Sequence, residues 1–538
     1  MTDAPLLELR DVSIAFGTAA PVVRGVSFAI RRGETFGLVG ESGSGKSLCA
    51  FAVLGLLPGG ARVLPGGSVR FDGRELTGLP EAEMRPLRGR RIAMVFQDPM
   101  AAMTPTLAAG EVVAETLRAH LGLRGAEQRA RVAALFAEVG LDPALAARYP
   151  HQLSGGQQQR VMIAAALAGE PALLLADEPT TALDATVQAQ VLALLAELVA
   201  KRGLAMLFVS HDLAVVARMA DRVGVMHRGD LVEEGPVAEV LGAPRAEPTR
   251  ALLAARAALH RAPPAPPPPP PLLTVEDLAV EYPGAGLFAR PARVVSGISL
   301  AVAPGRVVGI VGESGSGKTT VGKALVGLAR PAGGRILLGG RPLPQGLAGR
   351  RSAEAQRVQM IFQNPYGSLS PRRTIAATLA EPLERLGHPA AERRDRAAAA
   401  LAEVALPPDH LDRYPHQLSG GQRQRIAIAR ALLAEPSVLI CDEIVSALDV
   451  PIQVQVLRLL RAVQARRRIA MLFITHDLQV LAHLAQDVLV MRRGRMIEQG
   501  PTLDVLDTPR EAYTRELVAA MPALPSQRSF EVGAGTAA

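Results

Sequence analysis

Short apolar runs without alternation recur along the chain, and each stops at a glycine or an acid. TFGLV at 35–39 leads into GESGSGKS, and VVGIV at 307–311 leads into GESGSGKT. ALLLA at 172–176 ends in Asp177-Glu178, and VLIC at 438–441 ends in Asp442-Glu443. Unbroken runs of this length predict strands buried on both faces, as in parallel sheets covered by helices. No run approaches the roughly 18–20 apolar residues of a membrane helix, and MTDAPLLELR has no basic-then-apolar pattern of a secretory leader, so secretion is not expected.

The pattern occurs twice. Lys46 and Lys318 are 272 positions apart and Gln97 and Gln363 are 266 apart, while Ser154/Ser419, Asp177/Asp442 and His211/His476 are each 265 apart. The stretch RYPHQLSGGQ stands at both 148–157 and 413–422. A period this long is a tandem duplication of whole domains, not a solenoid, as 538 residues already suggest. PPAPPPPPP at 263–271 reads as an extended polyproline spacer between the copies. The net charge of +8 fits arginine-rich solvated faces, with runs such as Arg466-Arg467-Arg468 at exposed helix ends; no nucleic-acid partner is expected. Two cysteines, Cys49 and Cys441, fall in separate copies and build no disulfide framework, which suits a reducing compartment.

Only four lysines stand among more than fifty arginines, and two of them, Lys46 and Lys318, close the glycine-rich loops. A compact ammonium on a thin stem enters a tight ring of backbone that a planar guanidinium cannot. Gly40, Glu41, Ser42, Gly43, Ser44, Gly45, Lys46 and Ser47 fit G-x-x-x-x-G-K-[ST] between a strand and a helix. Gly312, Glu313, Ser314, Gly315, Ser316, Gly317, Lys318 and Thr319, followed by Thr320, repeat it. Amides turned inward and the helix N-terminus favour phosphate there. Lys46 and Lys318 are expected to reach the β/γ-phosphates, and Ser47 and Thr319 to hold Mg²⁺. Asp177 and Asp442, at strand ends, are expected to hold Mg²⁺ through water, and Glu178 and Glu443 to orient the attacking water. Ser154, Gly155, Gly156 and Gln157, with Ser419, Gly420, Gly421 and Gln422, form a second amide cluster in each copy. Two phosphate grips serve one nucleotide when they come from different domains facing head to tail.

With these motifs in this order, the sequence resembles the ATP-binding cassette (ABC) family over nearly its whole length. The resemblance implies an α/β fold: two tandem P-loop NTPase (RecA-like) ABC ATPase domains, each with an antiparallel β subdomain and a helical subdomain, the latter around 100–160 and 365–425. Residues 1–260 and 273–521 are the expected nucleotide-binding domains, 261–272 the linker, and 522–538 a disordered tail. Two ATPs with Mg²⁺ are implied, one between Lys46 and Ser419 and the other between Lys318 and Ser154. Gln97 and Gln363 match the Q-loop that senses Mg²⁺ and the γ-phosphate and faces the membrane partner. His211 and His476 match the switch histidine, and Asp184 and Asp449 the D-loop. Phe16 and Tyr282 are the aromatic candidates to stack on adenine, with an ordinary core aromatic as the competing reading.

FQDPMAAMTP (96–105), FQNPYGSLSP (362–371), EPTRALLAA (247–255) and AYTRELVAA (512–520) are similar to the peptide importer group. That likeness implies an ATPase subunit at the cytoplasmic face of the inner membrane. Its expected partners are two integral-membrane permease subunits and an extracytoplasmic solute-binding protein. Di- and oligopeptides, nickel complexes and glutathione are the solutes of the group. The sequence departs from many members in lacking tail cysteines, so no iron–sulfur cluster is expected, and in Ile444 where the first copy has Pro179. Both sites are expected to hydrolyse ATP. A ribosome-associated ABC-F ATPase is the alternative, disfavoured because the join is a short proline run and not a long charged helix.

Overall fold

The computed structural model describes residues 4–180, 183–257, 268–283, 291–346, 356–446 and 448–521. The proline-run reading at 261–267 and the tail 522–538 lie outside the described residues.

The apolar runs form the middle of two six-stranded sheets. The first lies in the order Asp230–Pro236, Arg222–His227, Thr35–Gly40, Ala205–Ser210, Leu173–Asp177, Ile92–Val95. All neighbours are parallel except the hairpin at the Asp230–Pro236 edge. Every residue of Thr35–Gly40, Leu173–Asp177 and Ala205–Ser210 is buried, which is why these strands read as continuous apolar runs. The second half repeats the sheet with Arg495–Pro501, Asp487–Arg492, Val307–Val311, Ala470–Ile474, Val438–Asp442 and Val358–Ile361.

One face of the first sheet, with Phe36, Leu38, Leu175 and Leu207, packs on the helix Lys46–Leu54 and on an antiparallel sheet built around Leu7–Phe16 and Val23–Ile30. That sheet keeps the period-two signature at Val26, Phe28 and Ile30, and an irregularity in register shifts the next buried residue to Val23. The other face, with Phe208 and Leu174, packs on helices that include Ala185–Arg202 and Leu213–Met219. Burying a side chain such as Phe208 or Phe473 contributes roughly 1.5–3 kcal/mol.

A helical subdomain of Ala109–Leu121, Gly125–Glu138 and Gly155–Ala168 shares the second of these cores, with a counterpart in Ile375–Arg385, Ala390–Glu403 and Gly420–Leu433. These subdomains run beyond the expected ends at 160 and 425. The run of small apolar residues after Gln159 is buried on nearly every side and continues the helix to Ala168. Arg467 is more than a solvated helix end: it donates to the Leu432 carbonyl (3.0 Å) and pairs with Glu403 (2.6 Å), tying the helix Val450–Arg467 to the helical subdomain.

Even the backbone strain is duplicated. Asp11 and Asp277, Glu178 and Glu443, and Arg228 and Arg493 all take φ between 45° and 49°. The halves touch through their ends: Glu247–Ala257 packs on Val450–Arg467, and Ala512–Ala519 on Ala185–Arg202. Among the described residues, no helix is long and apolar enough to cross a membrane.

Candidate active sites

Parallel strands deliver their C-terminal ends to one edge of the sheet, and the predicted residues follow from those ends. Thr35–Gly40 runs into the loop 40–47, Ile92–Val95 leads to Gln97, Leu173–Asp177 ends beside Glu178, and Ala205–Ser210 precedes His211. Topology alone therefore gathers a phosphate loop, two acids, an amide and an imidazole.

At the loop, Gly45 caps the helix with φ 98°, and Gly317 does so with φ 99°. That left-handed backbone suits glycine, and a Cβ on Gly45 would meet Val23 Cγ2 at 2.5 Å. Lys46 Nζ donates to the carbonyls of Gly40 (2.8 Å) and Glu41 (2.9 Å), folding over the loop; Lys318 Nζ does the same at Gly312 and Glu313 (both 2.8 Å). Burial pulls both ammonium groups below their ordinary pKa, while nearby carboxylates, led by Glu178 and Glu443, push back. In the first loop Ser44 Oγ is buried with no hydrogen-bond partner among the described residues, whereas Ser316 Oγ in the second accepts from Lys318 Nζ at 3.4 Å. A buried cradle at a helix N-terminus, with an orphan hydroxyl and a lysine folded over it, fits a phosphate chain.

Ser47 Oγ donates to Asp177 Oδ1 at 2.8 Å, and Thr319 Oγ1 to Asp442 Oδ1 at 2.9 Å. Burial raises both aspartate pKa values, and these hydroxyl bonds only partly offset it. A cation beside them would restore the charged form. Among the described residues no group of three or more His, Cys, Asp or Glu side chains is placed to hold a metal. One hydroxyl and one carboxylate are the donor set of a Mg²⁺ that takes its remaining oxygens from phosphate and water.

Glu178 Oε2 is the meeting point of the next group. Gln97 Nε2 donates to it at 3.0 Å, and His211 Nδ1 lies 3.2 Å from it. In the second half Gln363 Nε2 donates to Glu443 Oε2 at 2.8 Å, with His476 Nδ1 at 3.5 Å. Glu178 N donates to Val209 O (3.0 Å) and Glu443 N to Ile474 O (2.9 Å), so the sheet itself holds both acids in their left-handed backbone. Burial alone would lower the histidines, but the hydrogen bond and charge of the glutamate prevail and raise His211 and His476. Burial alone would raise Glu443, yet His476 and Lys318 draw it below the usual carboxylate range. Ile444 leaves this geometry intact: Glu443 keeps φ 46° against 45° at Glu178.

Ser154 and Ser419 cap the helices Gly155–Ala168 and Gly420–Leu433, each exchanging two hydrogen bonds with Gln157 or Gln422. Gly156 and Gly421 are glycines because the following helix lies against them: a Cβ would meet Val187 Cγ1 at 2.4 Å or Ile452 Cγ2 at 2.7 Å. The two halves then reach into each other. Ser42 N donates to Asp449 Oδ2 at 2.8 Å, and Ser314 N to Asp184 Oδ2 at 3.2 Å. Each phosphate loop is thus touched by an aspartate of the other half.

The family model for ABC transporters matches residues 23–181 and 295–446. The chain is 46% identical over 527 residues to the peptidoglycan transport ATP-binding protein YejF of Agrobacterium fabrum, covering 96% of both chains. It is 42% identical over 568 residues to the glutathione import ATP-binding protein GsiA of Escherichia coli, covering 97% of this chain and 90% of that one.

The chain belongs to the ABC transporter family. It is the ATP-hydrolysing subunit of a peptide-type ABC importer, with two cassettes in one chain, and not an ABC-F ATPase. A subunit of this kind works with membrane permease components. Among solved structures, the dimeric post-hydrolysis ATP-binding cassette MJ0796 bound to ADP and Pi aligns over 43% of this chain and 98% of that one, at 32% identity and a TM-score of 0.39.

Within the ABC chain, Phe16 and Tyr282 stand at strand ends, 37% and 38% exposed, so each keeps a ring face outside the core. Two neighbours of the sites were not read from the sequence. Tyr513 Oη accepts from Glu313 N at 3.0 Å while Arg492 lies over its ring at 4.4 Å, bracing the second phosphate loop. Arg256 pairs with Asp212, the residue after His211. Both sit on C-terminal helices that touch the opposite half, and no local pattern announces such contacts.

Proposed function

We propose that residues 1–260 and 273–521 are two nucleotide-binding domains, joined by 261–272, that face head to tail and enclose two composite ATP sites. One site joins the loop of Lys46 to the signature of Ser419, and the other joins the loop of Lys318 to the signature of Ser154. The reciprocal hydrogen bonds from Ser42 to Asp449 and from Ser314 to Asp184 are the observation that carries this reading.

In each site the loop amides and Lys46 or Lys318 bind the β- and γ-phosphates. Ser47 with Asp177, and Thr319 with Asp442, would hold Mg²⁺, which would supply charge neutralisation at the phosphate oxygens; Gln97 and Gln363 would report its presence. Glu178 and Glu443 orient and polarise the attacking water. His211 and His476, whose pKa values those glutamates raise, hold the γ-phosphate, and Phe16 and Tyr282 stack on adenine. Binding of ATP closes the halves, and hydrolysis with product release reopens them.

The stroke drives uptake through two integral-membrane permease subunits, with the chain peripheral at the cytoplasmic face and a solute-binding protein supplying cargo outside. Similarity to ATP-binding proteins of peptidoglycan transport and glutathione import supports a small peptide-containing solute. The test is ATPase activity of the chain co-purified with its permeases and binding protein, challenged with short peptides, glutathione, a muropeptide and a nickel complex. Stimulation by a peptide-containing solute is expected; stimulation by the nickel complex alone would overturn the solute class.

A further inference from the structure

Between the two halves lies a cavity of about 100 Å³, lined by Glu178, His211, His476, Asp477 and Arg256. Arg256, at the end of the helix Glu247–Ala257, is 7% exposed. Its Nη1 lies 2.9 Å from Asp212 Oδ1, and its Nη2 donates to Gln479 Oε1 at 3.1 Å. The first partner belongs to one half and the second to the other.

Both partners sit at the starts of the helices that follow the switch histidines: Asp212 is the N-cap of Leu213–Met219, and Gln479 is the second residue of Leu478–Leu484. Asp212 follows His211 directly, donates its amide to Ser210 Oγ (3.0 Å) and accepts from Ala214 N (2.8 Å). Gln479 lies three residues after His476, and its amide donates to Asp477 Oδ1 at 2.8 Å. Each switch histidine is thus followed at once by a capped helix start, and Arg256 bridges the two helix starts beside the imidazoles. A buried guanidinium is costly unless its donors are matched, and its planar fork fixes the relative placement of the acceptors it joins.

The link exists in one copy only. At the 265-residue spacing, Arg256 is matched by Met521, and Gln479 by Ala214. The duplication has diverged here while leaving the phosphate-handling residues paired. This singles out a contact serving the two halves jointly.

We propose that Arg256 is a positioning residue that ties together the helix starts that follow the two switch histidines, so that hydrolysis at one site depends on the state of the other. This rests on the two-site reading above and adds to it a route of coupling separate from the Asp184 and Asp449 contacts.

The test uses the full chain with its permeases, measuring ATPase rate against ATP concentration for wild type, Arg256→Met, Gln479→Ala and the double variant. Gln479→Ala installs the residue that the first half already carries at the matching position, so it keeps the test open if Arg256→Met fails to fold. Each single variant is expected to bring the Hill coefficient from above one towards one and to lower kcat about fivefold or more, with the double no worse than either. Arg256→Lys, which reaches one acceptor but not both, is expected to restore only part of the cooperativity. Full cooperativity in either single variant, losses that add in the double, or a wild-type Hill coefficient of one would overturn the proposal. A wild type without ATPase activity would instead overturn the two-site reading and this inference with it.

Discussion

Replacing Asp449 by alanine removes an acceptor that crosses from the second half to the phosphate loop of the first. The bond lost is Ser42 N to Asp449 Oδ2 at 2.8 Å, and the same carboxylate lends favourable charge to Lys46. A hydrogen bond to a charged partner contributes about 1.5–3 kcal/mol, and a loop that regains water recovers part of it. The lower end, about 1.5 kcal/mol, is a tenfold loss of affinity. Asp184 makes the mirror-image contact at 3.2 Å and also caps its own helix by accepting from Val187 N at 3.0 Å. Asp184→Ala therefore loses about 1 kcal/mol of helix capping and weakens the other site. In a Lys318→Ala background, nucleotide binding reports the Lys46 site. There Asp449→Ala should weaken binding of a fluorescent ATP analogue about tenfold, whereas Asp184→Ala should leave it within about twofold. Equal losses, or the reverse order, would refute the reciprocal pairing.

Replacing Glu178 and Glu443 together by glutamine keeps the hydrogen-bonding shape but removes the bases; turnover should fall by about 10²–10⁴ while ATP still closes the halves, and rapid turnover would contradict their assignment. Replacing Ser154 should impair the Lys318 site, and an effect confined to the Lys46 site would contradict the head-to-tail arrangement. Gly421→Ala should cost about 1–3 kcal/mol, because its Cβ meets Ile452 at 2.7 Å; Gly420→Ala, with nothing within 4 Å, should leave thermal stability almost unchanged. His211 and His476 are raised above 6.5, so their pairs with Glu178 and Glu443 contribute stability that is fully present below that pH and lost as pH rises through the raised values. The thermal midpoint of the nucleotide-free chain should fall on that rise, and less so in His211→Gln/His476→Gln; equal slopes would contradict the pairing.

The residues that the structure gathers at the strand ends were legible because each stands in a local pattern. A glycine loop, a strand-terminal acid pair and a serine cap each leave a short pattern, and the duplication prints each one twice. The parallel strands were legible for the same reason, since burial on both faces removes alternation. Helix ends were harder: Ala164 to Ala168 are buried with no polar face to mark a boundary, so the helix passes the expected 160. Arg256 and Tyr513 were out of reach because Asp212 and Gln479 lie 44 and 223 positions from Arg256, and Glu313 lies 200 from Tyr513, across a fold that no neighbouring residue encodes. Arg466, Arg467 and Arg468 are exposed at a helix end as the sequence suggested, but the pairing of Arg467 with Glu403, 64 positions distant, left no local sign.

The central claim is that this chain is the paired ATPase engine of a membrane importer. The most direct measurement is affinity purification of the full-length Glu178→Gln/Glu443→Gln chain from gently solubilised cells, with ATP present, and identification of what accompanies it. Two polytopic permease subunits in equal amounts are the predicted companions. Ribosomes, DNA or no membrane protein at all would contradict the claim and leave only an ATPase.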